Sequence, residues 1–227
     1  MITKRVFGTA ILLCAMAPAV FAASFDEKVR NDFFAGFAGD QAAMERAMQK
    51  SEQAIAENPN DVAEALAWHG SGLMFMSGQK FQQKDIAAGS ALWEKGLAEM
   101  DKAGALAPDK PAVLIPRAAA WFGVSRQAPP AQGRPLIRKA LADYEHVYEL
   151  QKAYFDTLSG HMRGELLFGL ADGYRRDEQP DKARVYFEKL VAVGPASGHL
   201  EQAQLALKGE PYVVRGVGCT GCHVAGK

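Results

Sequence analysis

Two cysteines and a histidine near the C-terminus form the pattern with the clearest chemical meaning in this sequence. They stand in the order Cys219-Thr220-Gly221-Cys222-His223. Two thiols at this spacing can each form a thioether with a vinyl group of haem, and the adjacent histidine then gives an imidazole nitrogen to the iron. The motif therefore predicts one covalently attached haem c, with Cys219 and Cys222 as the attachment residues and His223 as the proximal axial ligand.

Three other uses of the cysteine pair are weaker. A redox dithiol normally sits in a βαβ unit, and no such pattern surrounds these residues. A tetrahedral zinc site needs four ligands, and the sequence has no second C-x-x-C and no H-x-x-x-H. A simple disulfide is the remaining alternative, and it would give His223 no role.

The second axial ligand of this haem has to come from upstream, because only four residues follow His223. The motif resembles that of the small cytochromes c, but in those the motif opens the domain and the residues after it wrap the ring. Imidazoles and thioethers are the side chains that ligate haem iron in such proteins. The candidates in this chain are left open at this point, and they are His69, His161, His199, Met74 and Met76.

The N-terminus has the pattern of a cleavable secretory signal. Basic Lys4 and Arg5 precede an apolar run over residues 6–20, and small residues follow at Ala22 and Ala23. This order predicts cleavage after Ala22 and a location in the periplasm or outside the cell.

Cys14 lies within the apolar run and raises the alternative of a lipoprotein signal. Leu13 is bulky where such a signal needs a small residue, which disfavours lipidation. An uncleaved anchor is also disfavoured, because the run is short for a membrane span. Once the signal is removed, Cys219 and Cys222 are the remaining cysteines. Their role is therefore local chemistry rather than a disulfide framework.

The composition is that of an ordinary globular protein, with 48% apolar and 23% charged residues among 227. Lys plus Arg and Asp plus Glu both total 26, so the formal net charge is zero. No basic excess indicates nucleic-acid binding. No acid–base pair, nucleophile–base arrangement, phosphate loop or H-E-x-x-H motif indicates hydrolysis or group transfer. An electron carrier or a binding protein is expected rather than an enzyme.

Helix-forming residues dominate the chain and strand patterns are nearly absent, so the predicted fold class is all-α. Proline, glycine and asparagine turns divide the helical stretches, and the short turns imply antiparallel neighbours. Asp61 is expected to cap the helix that follows it. The predicted helices cover residues 25–37, 40–57, 61–78, 83–106, 111–127, 133–156, 160–176, 180–192 and 197–208.

The segment from Leu167 to Pro195 has the pattern of two helices sharing one apolar seam. The first helix would contribute Leu167, Leu170, Ala171 and Tyr174, and the second Ala183, Phe187 and Leu190. This order of bulky, small and aromatic residues, closed by a proline, resembles the tetratricopeptide repeat. The resemblance implies antiparallel helix–turn–helix pairs stacked as a solenoid.

Weaker copies of the unit extend the resemblance over residues 40–196. First-helix spacing recurs in two sets, Trp68, Ser71, Gly72 and Phe75, and Ile115, Ala118, Ala119 and Phe122, each followed by an apparently long connection. Ala47, Ala54 and Pro59 resemble the second half of another unit. An irregular helical bundle is the alternative architecture.

The resemblance also implies a concave surface lined by the first helices, on which such repeats bind a peptide or protein. The corresponding positions are Leu66, His69, Leu73 and Met76 in the Trp68 unit, and Glu165, Phe168, Asp172 and Arg175 in the last unit. The same stripes could equally be buried against neighbouring helices.

Three segments follow from these patterns: a signal peptide over residues 1–22, a helical repeat-like domain over 23–208, and a tail over 209–227 that carries the haem motif. The expected function is electron transfer or a haem-linked redox role with a protein partner. The alternative is a non-redox periplasmic scaffold that binds a protein or peptide in its helical groove.

Overall fold

The computed structural model describes residues 24–214, and all the regular secondary structure in that range is helical. Short 3-10 helices at Lys152–Thr157 and Gly194–Ser197 extend the sixth and eighth α-helices. The predicted all-α class is confirmed. The α-helices in the described range are α1 Phe25–Phe37, α2 Gln41–Glu57, α3 Val62–Gln82, α4 Ile86–Leu106, α5 Pro111–Ser125, α6 Pro130–Gln151, α7 Gly160–Arg176, α8 Pro180–Val193 and α9 Leu200–Leu207.

Successive helices form four pairs, α1/α2, α3/α4, α5/α6 and α7/α8, and α9 packs against α8. Each pair contacts the next through α2 and α3, α3 and α5, or α6 and α7. Contact restricted mainly to neighbouring units is the arrangement of a helical solenoid. Among the helices between residues 24 and 214, none combines the length and the apolar character that a membrane span requires.

The same three-residue turn joins the helices of three pairs. Gly39, Lys84 and Glu178 occupy its middle position, with φ angles of +112°, +62° and +62°. In each turn the next residue's amide donates to the carbonyl five residues earlier, which is the Schellman arrangement. This shared turn relates α1/α2 and α3/α4 to the last pair, although their sequences match the repeat less well.

The connections within the second and third pairs are short, which corrects the prediction that they are long. α3 continues to Gln82 instead of ending at residue 78, so its connection to α4 is the same tight turn. α6 begins at Pro130 instead of residue 133, because a proline at the first helical position has no amide to leave unpaired.

Asp61 precedes α3, but its side chain does not cap the helix, so the predicted cap is wrong. Its carboxylate instead accepts hydrogen bonds from Lys28 Nζ at 3.1 Å and from Asn58 Nδ2 at 2.9 Å. Asp61 therefore links α1 to the start of α3. Asp40 and Asp85 are true caps, and they accept from the amides of Ala43 and Ala88 respectively.

The apolar seam predicted for the last pair is confirmed. Its members are all buried between α7 and α8: Leu167, Leu170, Ala171, Tyr174, Ala183, Phe187 and Leu190. They belong to the larger core cluster, which extends through α5 and α6 and includes Trp121. A second cluster around Val29, Phe33 and Trp68 joins α1 to α3.

Two glycines bring α3 and α4 into close contact. A Cβ atom at Gly70 would lie 3.0 Å from the carbonyl oxygen of Gly96, and a Cβ at Gly96 would lie 3.0 Å from that of Gly70. Both distances are too short for an alanine without movement of the backbone. These positions therefore require glycine and set the spacing of the second pair.

Candidate functional site

A large cavity opens on the face formed by the first helices of the pairs. Its volume is about 1200 Å³, somewhat more than the roughly 300–1000 Å³ of typical ligand pockets. α1, α3, α5 and α7 all contribute to its wall, together with part of α4 and the connection between α5 and α6. The structure thus has the concave surface lined by first helices that the repeat resemblance implied. We call this feature the concave cavity.

The wall of the concave cavity is mainly apolar and rich in aromatic rings. Phe34 and Phe37 line it from α1, Phe75 from α3 and Trp93 from α4. The rings of Phe37 and Phe75 meet edge to face, with centroids 5.2 Å apart. Opposite them α5 presents small side chains, which keep the cavity wide: Ala112, Ala119, Ala120 and Gly123.

Few ionisable side chains line the concave cavity. Arg30 and Asp26 form an ion pair on α1, and Glu94 projects from α4. His161 and Glu165 line it from the first turns of α7. A ligand with a flat apolar body and anionic substituents would find both an aromatic wall and a guanidinium here.

The face of α3 that lines the cavity differs from the predicted one. Trp68, Ser71 and Phe75 line it, whereas Leu66, His69 and Leu73 are buried in the interior. Three of the four first-helix residues expected to form the seam in this unit therefore border the concave cavity instead. Because α3 has apolar residues on both faces, its periodicity could not show which face borders the cavity and which is buried in the interior.

On α7 the predicted groove residues do share one stripe, but the chain itself covers part of it. The Tyr212 hydroxyl donates to Asp172 Oδ1 at 2.8 Å and accepts from Arg175 Nε at 2.7 Å. The ring of Tyr212 also packs edge to face against Phe168 and Phe187. We call this arrangement the tail anchor, because it holds the start of the C-terminal tail on α7.

Charge reinforces the tail anchor. Asp172 is 2% exposed, and burial by itself would raise the pKa of its carboxyl group. Arg126, at 2.6 Å, and Arg175 outweigh that effect and hold the pKa of Asp172 below its ordinary value. Burial and the nearby carboxylate raise the pKa of Tyr212, which favours the protonated phenol that donates a hydrogen bond to Asp172.

His199 covers the middle of the α7 stripe. Its ring stacks on Phe168, with centroids 4.2 Å apart and an angle of 5° between the planes. Its Nε2 lies 3.0 Å from Glu165 Oε1. His199 immediately precedes α9, so these contacts fix the start of that helix against α7. His199 is not among the residues that line the concave cavity.

His69 is the most enclosed of the candidate iron ligands. Its side chain is 2% exposed, with Nδ1 2.5 Å from Glu99 Oε2 and Nε2 3.4 Å from Glu52 Oε1. The imidazole therefore lies between α2 and α4 and does not line the concave cavity. Its place in the fold is that of a buried link between two carboxylates.

The methionine candidates differ in position. Met74 is fully buried, with its thioether against Gly96 of α4, although part of it reaches the cavity wall. Met76 is half-buried and is not part of that wall. Met162, which the sequence reasoning missed, lines the cavity and is half exposed.

His161 is the histidine that lines the concave cavity. Its side chain is 44% exposed, and its Nδ1 lies 4.0 Å from Glu165 Oε1. It belongs to the first turn of α7, which Ser159 caps by accepting from the amide of Met162 at 3.2 Å. The Ser159 cap therefore stabilises the helix end that carries His161.

The predicted attachment residues Cys219 and Cys222 and the predicted ligand His223 lie outside the described residues, as does the predicted signal peptide. Within residues 24–214, no group of three or more histidine, cysteine or acidic side chains is arranged to hold a metal ion.

Tyr212 is the functional residue that the sequence analysis overlooked. It follows Pro211 among residues 210–214, which have no regular secondary structure, and an isolated aromatic residue there was the available signal. Comparisons with protein-family models, with curated proteins and with solved structures give no match for this chain. Its chemistry is therefore inferred from its own residues.

Proposed function

We propose that this chain is an exported c-type haem protein in which a tetratricopeptide-like solenoid carries one haem on its C-terminal tail. Cys219 and Cys222 are the attachment residues and His223 is the proximal ligand. The observation that carries the proposal is the C-x-x-C-H pentapeptide near the end of the chain. The signal-like pattern over residues 1–22 supports it, because such attachment takes place outside the bacterial cytoplasm.

The described residues fit a haem group. The concave cavity is large enough for a cofactor, and its aromatic wall suits an apolar ring. Arg30, which pairs with Asp26, lies in the same wall and could donate hydrogen bonds to an anionic substituent. His161 and Met162 add an imidazole and a thioether, which are the side chains that ligate haem iron in electron-transfer proteins.

The haem, when bound, supplies one-electron redox chemistry at its iron. The chain's own residues determine how accessible that chemistry is to water and to a partner. Phe34, Phe75 and Trp93 offer an environment of low polarity, and burial of this kind is one of the factors that set a haem's reduction potential. The exposed outer faces of the solenoid are available to a protein that exchanges electrons with it.

The test is expression of the full chain, signal included, together with a haem-attachment system. We expect haem to stay with the polypeptide after denaturation and organic extraction, and a pyridine haemochrome spectrum typical of thioether linkage. A Cys219→Ser,Cys222→Ser double variant is the matched control and should lose the haem. Complete extraction of haem from a chain with intact, reduced cysteines would contradict the proposal.

A second candidate function is a non-redox scaffold that binds a protein or peptide in the concave cavity. The observation that favours it is the cavity itself, with its aromatic wall on the face that such repeats use for binding. The two functions separate in the same experiment, because a scaffold needs no covalent haem. A folded, exported chain without haem in the presence of the attachment system would favour the scaffold.

A further inference from the structure

The concave cavity and the tail anchor lie along one stripe of α7. His161, Glu165, Phe168, Asp172 and Arg175 follow each other at intervals of three or four residues, which places them on one face of the helix. His161 and Glu165 line the cavity, Phe168 is covered by His199, and Asp172 and Arg175 hold Tyr212. The anchored end of the tail therefore lies on the same helix face that borders the cavity.

The tail is long enough to reach the cavity from its anchor. Eleven residues of α7 separate Asp172 from His161, a distance of about 16 Å along the helix axis. Seven residues separate Tyr212 from Cys219, and an extended chain of that length spans up to about 25 Å. Val214 still packs against the core, so the tail is held on the domain close to the motif.

We infer that the C-terminal segment 215–227, with its haem, docks in the concave cavity and that His161 supplies the axial ligand opposite His223. The inference rests on the proposed function. It assigns the cavity to a segment of this chain rather than to an outside peptide. The reason is that the anchor holds the tail within reach, so the tail competes for the cavity at a high effective concentration.

The positions of the other candidates favour His161. His69 is enclosed between Glu52 and Glu99, and His199 is stacked on Phe168 and bonded to Glu165. Met74 is packed against α4 and Met76 lies outside the cavity wall. Glu165 lies one turn along α7, with its Oε1 4.0 Å from His161 Nδ1 and 3.0 Å from His199 Nε2, so a carboxylate is near the proposed ligand.

The ligand assignment is tested on the haem-loaded protein by its absorption and near-infrared magnetic circular dichroism spectra. The wild type is expected to be low-spin with bis-histidine ligation. His161→Ala should convert it to high-spin, and added imidazole should restore the low-spin spectrum. His146→Ala is the matched control, because the side chain of His146 is 45% exposed against 44% for His161, and it pairs with Asp109 on a different surface.

Two results would overturn the ligand assignment. One is an unchanged low-spin spectrum in His161→Ala. The other is a loss of the low-spin spectrum in Met162→Ala or His199→Ala but not in His161→Ala. Both presuppose covalent haem in the preparation, which the pyridine haemochrome assay measures separately. A failure of the proposed function is thus distinguished from a failure of this inference.

Docking of the tail is tested by limited trypsin digestion, with mass spectrometry following cleavage after Arg215. Slow cleavage is expected in the haem-loaded wild type, because the segment lies against the domain. Ala119→Trp places a large ring in the cavity wall and should speed cleavage at least several-fold while the helical circular dichroism is unchanged. Equal cleavage rates in the two proteins would refute docking in the cavity, as would rapid cleavage of the wild type.

Discussion

The two ends of the concave surface use similar helices in opposite ways. Around α1, α3 and α5 the first helices border an open cavity with an aromatic wall. On α7 the corresponding surface is covered by His199 and Tyr212 of the same chain. The α3/α4 pair at the open end and the α7/α8 pair at the covered end are joined by the same turn, so the pairing of helices alone does not decide whether their concave face stays open.

The side chains on the stripe make the difference. α7 presents a buried carboxylate, Asp172, with Arg126 and Arg175 beside it, and a phenol can bond to this group. α5 presents alanine and glycine at the matching end of its surface, and these offer a partner no polar contact. The charged cluster on α7 binds Tyr212, which covers the helix, whereas the small apolar residues of α5 leave room for a ligand.

The largest expected effect comes from removing the centre of the tail anchor. Asp172→Ala should lower the free energy of unfolding by about 2–3 kcal/mol, because it removes the buried carboxylate to which Tyr212 and the partly exposed Arg126 and Arg175 all bond. Urea denaturation followed by circular dichroism measures the loss. Asp156→Ala, which removes a carboxylate that is 98% exposed, is the control and should change stability by less than about 0.5 kcal/mol.

The same carboxylate gives the anchor a defined pH dependence. The pKa of Asp172 in the folded state lies below its ordinary value of 3.8, so its contribution to stability is present above pH 3.8 and is lost as the pH falls through the lower folded-state value. The difference between wild type and Asp172→Ala should therefore be constant near neutrality and shrink in strong acid. A difference that already shrinks well above pH 3.8 would contradict this assignment.

An intermediate effect is expected from two alanines at matching positions of the repeat. Ala171 of α7 is fully buried in the seam, whereas Ala119 of α5 borders the concave cavity. Ala171→Leu should destabilise the fold by about 1–3 kcal/mol, because the added methyl groups overfill a packed seam. Ala119→Leu should cost less than about 0.5 kcal/mol. Equal losses in thermal or urea unfolding would mean that the two ends are packed alike.

The smallest effect concerns the turn that the open and covered ends share. Lys84 and Glu178 adopt a left-handed conformation that costs an ordinary residue about 1 kcal/mol. Lys84→Gly should raise the free energy of unfolding by about 0.5–1 kcal/mol, less than the full strain because glycine is more flexible when unfolded. Glu178→Gly should gain less, since it loses an ion pair with Arg134. Gly39→Ala is the reverse control and should destabilise.

Local patterns were sufficient to predict the helices and the last repeat. The boundaries predicted for α1, α7 and α8 lie within one residue of those observed. The prediction of the seam between α7 and α8 was correct because each of these helices is apolar on one side only. The apolar side of each helix could therefore be identified from its sequence. The predicted ends of α3 and α6 were wrong, since polar residues and a proline were assigned to loops although they fit the ends of helices.

The candidate site was less predictable. α3 is apolar on both faces, so its sequence could not show whether His69 or Trp68 faces the concave side. The glycine-rich tail gave little sign that Tyr212 would return to α7. Both outcomes depend on contacts between residues far apart in the chain, such as the bond from Tyr212 to Asp172 forty residues earlier.

The sequence by itself determined the helical class, the antiparallel pairing and the motif on which the haem proposal depends. These follow from local propensities, turn residues and the spacing of two thiols and an imidazole, all of which act over a few neighbouring positions. Only the tertiary structure decided which faces enclose the concave cavity and that His161 lines it. Those features depend on how distant helices rotate and stack, and that is set by the sum of many packing contacts.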